Sequence, residues 1–138
     1  MPGIQKSLRL PEETLKEIEQ IAKETGQDFS SIAKNLLQEA IKMRRCPGII
    51  FVEGTGGRRA RLAGTGIEVW EIISAHRSMG QDFNRLKSAY HWLSPEQLRV
   101  ALGYYSVYPQ EIDQLIDQNE SWDERKVKER YLFLSAHS

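Results

Sequence analysis

The sequence predicts a mainly α protein in two parts: a short strand with two helices, then a β-hairpin with further helices. Three observations carry this reading. Polar and apolar residues alternate from Gln5 to Leu10; apolar residues recur at helical spacing from Leu15 to Ile41 and again from Val69 onward; and glycines separate two strand-like runs between residues 49 and 62. A chain of 138 residues holds one ordinary domain or two small ones, and a first unit this small needs a partner chain to complete its core.

The alternation from Gln5 to Leu10 suits a half-buried strand with Leu8 and Leu10 inward, and Pro11 closes it because proline cannot continue a ladder. Pro11 then suits the first position of a helix. Glu12 and Glu13 favour its positive end, Leu15, Ile18, Ile21 and Ala22 line its apolar face, and Gly26 ends it. Asp28 caps a second helix whose stripe of Ile32, Ala33, Leu36, Leu37, Ala40 and Ile41 is wider than one partner helix requires; Met43, Arg44 and Arg45 end it. After Cys46, Pro47 and Gly48 the spacing predicts a hairpin of Ile49 to Glu53 and Arg58 to Leu62, joined by Gly54, Thr55, Gly56 and Gly57. An amphipathic helix from Val69 follows, ending at Gly80. Asp82 caps a short helix to Tyr90, and Ser94, Pro95 and Gln97 form a full start signal for a helix to Val107. Pro109 begins another with Ile112, Leu115 and Ile116, and Ser121 with Glu124 offers a further capping box before Val127, Tyr131 and Leu134.

Composition narrows the function. At 40% hydrophobic and 28% charged residues the chain is globular rather than disordered. The apolar run Ile49 to Val52 is far short of the ~20 residues that cross a bilayer, and the N-terminus has no apolar signal segment, so a soluble, unexported, cytoplasmic protein without membrane partners is expected. Cys46 is the only cysteine, which excludes an intramolecular disulfide and a multi-thiolate metal site. The formal net charge is zero, but residues 1–66 carry eleven Lys/Arg against eight Asp/Glu and residues 67–138 carry eight against eleven. The basic half is the half that begins with the strand. Nucleic-acid affinity would therefore come from a few well-placed contacts present in two copies.

From about residue 4 to 45, the alternating strand running into Leu10-Pro11-Glu12-Glu13, with Gly26 and a polar cap before the second helix, resembles the ribbon-helix-helix family. The resemblance implies an intertwined homodimer whose paired strands enter the major groove of double-stranded DNA as a ribbon. Carried onto this chain, the base contacts are Gln5, Ser7 and Arg9. Gln and Arg suit bidentate contacts to adenine and guanine edges. The family also seats a phosphate at the start of the second helix, where Ser30, Ser31 and Lys34 would assist. This chain departs from the pattern at Lys6, where an apolar residue is usual, and at Asp28, whose charge lies close to the expected phosphate.

Residues 47–116 carry a second resemblance. Pro47-Gly48-Ile49-Ile50-Phe51-Val52, Gly57-Arg58-Arg59-Ala60, Gly64-Thr65-Gly66-Ile67-Glu68-Val69-Trp70, Ser94-Pro95-Glu96-Gln97, Ala101-Leu102-Gly103-Tyr104-Tyr105 and Pro109-Gln110-Glu111-Ile112-Asp113 are similar to a domain of unknown function in VapB-type antitoxins, found beside PIN-like nuclease toxins. That resemblance implies a helix-turn-helix, formed by Asp82 to Tyr90 and Ser94 to Val107 around His91, Trp92 and Leu93. Gln97 and Arg99, near the exposed N-terminal end of the latter helix, would then be a second DNA reader, the alternative being a packing or toxin-docking role for that helix. Arg58, Arg59 and Arg61 on the hairpin are the better phosphate candidates. The expected organisation is 1–45 for DNA binding and dimerisation, 46–116 for the hairpin and helix-turn-helix, and 117–138 for an acidic helical tail. The expected role is an operator-binding antitoxin and autorepressor that also meets a PIN-like nuclease toxin. A dimeric interaction module indifferent to DNA and a transcriptional regulator unconnected to a toxin are the alternatives.

No enzyme chemistry is expected. His76, His91 and His137 lack metal-ligand spacing, Gly54 to Gly57 lacks the lysine and helix of a phosphate loop, and nothing resembles a nucleophile elbow. No cofactor or metal is implied. Trp70, Trp92, Tyr104 and Tyr105 are expected in the core rather than as a stacking platform.

Overall fold

Pro11 opens the first helix from outside rather than from its first turn. In the computed structural model, which describes residues 3–54 and 56–120, Pro11 has φ −56° and ψ 146° and precedes α1, Glu12–Thr25. Its extended ψ keeps it out of the helix, while its carbonyl accepts the Leu15 N–H at 3.0 Å and so starts the ladder. Gly26, at φ 69°, closes α1 with its N–H on the Ala22 carbonyl. Asp28 then caps α2, Phe29–Arg45: its carboxylate accepts the Ser31 N–H at 2.7 Å.

Met1–Lys42 forms one compact unit and Met43–Ser138 another, so the last turn of α2 goes with the second. The first unit has a core of only Ile18, Ala22 and Ile32, at 9%, 9% and 6% exposure, with Ile21, Phe29 and Ala33 packed beside them. Two short helices bury little when only one face of each meets the other.

In the second unit β1, Ile49–Gly54, pairs antiparallel with β2, Gly57–Leu62, in the register Ile49↔Leu62 to Gly54↔Gly57. The ladder therefore runs one residue further at its turn end than the spacing of apolar residues predicts. Alternation sends Ile49, Ala60 and Leu62 into the core. Gly48 precedes the hairpin at φ 98°, and a Cβ there would lie 3.2 Å from both Val100 methyl carbons, so backbone conformation and close approach both require glycine.

Three helices follow: α3, Val69–Ser78; α4, Phe83–Ala89; and α5, Pro95–Val107. Residues 109–120 are helical too and are called α6; Ser121, Glu124 and the helix expected at Val127, Tyr131 and Leu134 lie outside the described residues. Each start has a local cause. Glu71 Oε2 accepts the Glu68 N–H at 2.8 Å before α3, and Asp82 Oδ1 accepts the N–H groups of Asn84 and Arg85 before α4. At α5, Ser94 and Gln97 exchange two hydrogen bonds, at 3.1 and 2.9 Å, with Pro95 in the first turn.

Among the described residues the second unit's core holds fourteen buried side chains, from Cys46 to Ile116. Tyr104 is fully buried, edge-on to Phe51 at 6.4 Å and beside Tyr108 at 5.0 Å, and its hydroxyl donates to the Glu111 carboxylate. Burial, then that carboxylate, push its phenol far above the ordinary tyrosine range. Arg77 of α3 donates to Asp113 of α6 and to the Tyr105 hydroxyl of α5, tying the three helices together. Burial also pushes the Cys46 thiol up, which disfavours its thiolate. The chain is thus mainly helical with one small two-stranded sheet among the described residues, and no described helix is long and apolar enough to cross a membrane.

Candidate nucleic-acid interface

In the single chain residues 3–10 have no regular secondary structure and every one of them is exposed. A strand is defined by its ladder, and one copy of this segment has none. Gln5, Ser7 and Arg9 alternate with Lys6, Leu8 and Leu10 along it. The apolar members are left in water: Ile4 is 90% exposed, Leu8 74% and Leu10 39%. On α2 the wide stripe read from the sequence is only half used. Its Ile32 side packs on α1, whereas Leu36, Leu37 and Ile41 remain 40%, 58% and 51% exposed.

At the start of α2 the phosphate candidates separate. Ser31 and Lys34 line an open groove of about 630 Å³ with Gly26, Gln27, Asp28, Asn35 and Gln38, while Ser30 is exposed away from it. The polar side of α2 builds this groove, since residues 31, 34, 35 and 38 recur at helical spacing. Asp28 already holds the Ser31 N–H, and that hydrogen bond, reinforced by the Lys34 charge, draws its carboxyl below the usual aspartate range. A bound phosphate would meet this carboxylate. Asp28→Asn keeps a capping oxygen and removes the charge, so it is expected to tighten DNA binding by roughly threefold without changing sequence preference. Parallel titrations of operator and scrambled duplex would check this, and weaker binding to both would contradict it.

In the second unit Arg59 and Arg61 of the hairpin are half-buried, whereas Arg58 stays exposed. The Arg59 guanidinium lies 3.6 Å from Glu68, both side chains being about four-fifths buried, at 23% and 16% exposure. Arg58 donates to the Phe51 carbonyl at 3.2 Å. Gln97, offered as a base reader, spends its side-chain oxygen on the Ser94 N–H. Arg99 stays exposed, with its guanidinium 5.5 Å from the Phe83 ring centre. The helix that carries both is packed on most sides: Leu98, Ala101 and Tyr104 are fully buried, and Val100, Leu102 and Tyr105 are half-buried. Between its ends, α5 shows solvent a strip of Glu96, Arg99, Gly103 and Ser106, and Pro95 and Val107 are exposed at the ends themselves.

Trp92 corrects an expectation. The sequence places it in the turn between the two helices and predicts it in the core, yet in that turn, between α4 and α5, it is 60% exposed. Leu93 takes the inward place instead, at 7% exposure, its N–H held by the Tyr90 carbonyl at 2.9 Å. A turn this tight directs neighbouring side chains to opposite sides, and the aliphatic one is buried. Adjacency to the Ser94 cap was the available signal, because it places Trp92 outside both helices. Trp70, Tyr104 and Tyr105 are buried or half-buried as expected.

No family model matches the sequence, and no curated protein matches it. Among solved structures the chain is similar to a DUF433 member protein from Anabaena variabilis ATCC 29413, at 27% identity and a TM-score of 0.44, with 78% of this chain and 99% of that chain covered.

Proposed function

We propose that the protein is a DNA-binding homodimer in which residues 4–10 pair antiparallel with the same segment of a second copy and present Gln5, Ser7 and Arg9 to the major groove. The supporting observation is the unfinished first unit. It keeps three side chains buried and leaves Leu8, Leu36, Leu37 and Ile41 at 74%, 40%, 58% and 51% exposure. At roughly 1.5–3 kcal/mol for each such side chain fully buried, two copies covering one another gain on the order of 10 kcal/mol. That is of the same size as the ~4–15 kcal/mol cost of association, so the strand ladder must contribute as well. A ladder formed with Leu8 and Leu10 beneath it puts Gln5, Ser7 and Arg9 on the opposite face, six polar side chains in all from two copies. The DNA and toxin setting comes from the resemblance to ribbon-helix-helix proteins and VapB-type antitoxins: autorepression of an operator beside the gene of a PIN-like nuclease toxin.

Arg9→Ala is expected to weaken binding to the chain's own upstream DNA by about 10- to 100-fold and to flatten the difference between operator and scrambled sequence, the dimer surviving. A mobility-shift titration across a salt series measures both. Wild-type protein that retards neither duplex, or an Arg9→Ala variant that discriminates as before, contradicts the proposal.

A further inference from the structure

The α4–α5 corner carries an exposed aromatic surface that the operator reading does not use. Trp92 stands 60% exposed, with the Tyr90 ring 5.3 Å and the His91 ring 5.2 Å from its own, so three rings meet at one short turn. Tyr90 is half-buried and Leu93 is pinned beneath, which holds the turn against the core. An indole fixed in water at a rigid turn loses little conformational freedom on binding. Two cations flank it in sequence, Lys87 on α4 and Arg99 on α5, brought together by the Phe83 ring, whose centre is 5.5 Å from each. Neither has an ion-pair partner among the described residues, in contrast to Arg59 with Glu68 and Arg77 with Asp113. The nearby Asp82 is turned onto the backbone N–H groups of Asn84 and Arg85.

Rings at an exposed turn, flanked in sequence by two cations without an ion-pair partner among the described residues, match a partner that is anionic along a backbone and offers free π-faces. A duplex hides its base faces in the stack, whereas a single strand displays them. We infer that this corner binds single-stranded nucleic acid, Trp92 stacking on an unpaired base while Lys87 and Arg99 hold phosphates. The site is separate from Gln5, Ser7 and Arg9, and its success does not depend on theirs.

The test uses the full chain and a fluorescent twelve-residue oligothymidylate, followed by anisotropy from about 50 to 200 mM salt. Trp92→Ala is expected to weaken binding by about tenfold or more, and Trp92→Phe to restore part of it. Lys87→Gln with Arg99→Gln is expected to lower the salt slope by about 1.4, at ~0.7 per phosphate contact on a single strand. Arg9→Ala should leave the oligonucleotide bound as before while weakening the duplex. Because Trp92 and Arg99 are exposed and Lys87 is half-buried with no place in the core, an unchanged circular dichroism spectrum is expected for these variants. Wild-type protein that leaves the oligonucleotide free at 50 mM salt overturns the inference, as does a Trp92→Ala variant that binds it equally well. Oligonucleotide binding that depends on Trp92, in a protein that retards no duplex, would remove the operator reading and leave this one standing.

Discussion

Leu37→Glu is expected to convert the protein to a monomer with a disordered first unit and to abolish DNA retardation. The sign of its effect discriminates between the two states open to that unit. Leu37 is 58% exposed in one copy, so for a monomer the change is a surface substitution worth within about 0.5 kcal/mol. In the dimer proposed above the same position would lie at the contact, and a carboxylate buried there without a partner would cost several kcal/mol for each copy, with about 3–5 kcal/mol typical of an uncompensated buried charge. Sedimentation at micromolar concentration reads the association state. Urea unfolding followed by far-ultraviolet circular dichroism reads the first unit, whose midpoint in the wild type should rise with protein concentration because folding and association are linked. A wild-type midpoint that ignores concentration, together with a Leu37→Glu variant of unchanged sedimentation, would show that the first unit completes its core by other means.

The parts of the fold that were legible in the sequence are those set by neighbours in the chain. Ser94 and Gln97 form their reciprocal cap, Asp28 and Asp82 hold the helix starts assigned to them, and Gly26 closes α1 with positive φ. Such signals need only three or four residues of context. The wide stripe on α2 was legible as well, since Leu36, Leu37 and Ile41 could be placed on its face by counting alone. What escaped depends on contacts distant in sequence. Glu68 and Arg59 pair across nine positions, and nothing in the run Gly57-Arg58-Arg59 marks which arginine will be drawn inward. Gln97 was assigned two uses, cap and reader, and one carbonyl oxygen serves the nearer donor. Trp92 was placed by hydrophobicity, whereas its exposure follows from a turn that had room for one inward side chain and took Leu93. The strand expected at residues 4–10 is a third case: one chain shows no ladder there, and the pairing proposed above would need a second chain.

A substitution in the other unit gives the complementary result. Leu98→Ala is expected to destabilise the second unit by about 2–5 kcal/mol, because Leu98 is fully buried at the contact of α5 with the rest of that core and truncation leaves a cavity. The probe for this unit comes from the chain itself. Every tryptophan follows residue 42, so tryptophan fluorescence is blind to the first unit and reports the rest of the chain through Trp70, Trp92 and Trp122. With a urea slope of ~1–2 kcal/mol per molar for a unit of this size, the fluorescence midpoint should fall by about 1–5 M. In the wild type that midpoint should be independent of protein concentration, since the second unit holds its fourteen buried side chains within one chain, whereas the circular dichroism transition of the first unit should move. The two substitutions should therefore act on separate observables: Leu37→Glu on the concentration-dependent transition, Leu98→Ala on the fluorescent one. Fluorescence and circular dichroism that shift together in both variants would mean that the two units unfold as one cooperative body, and the first unit's need for a second copy would then have to be argued on other ground.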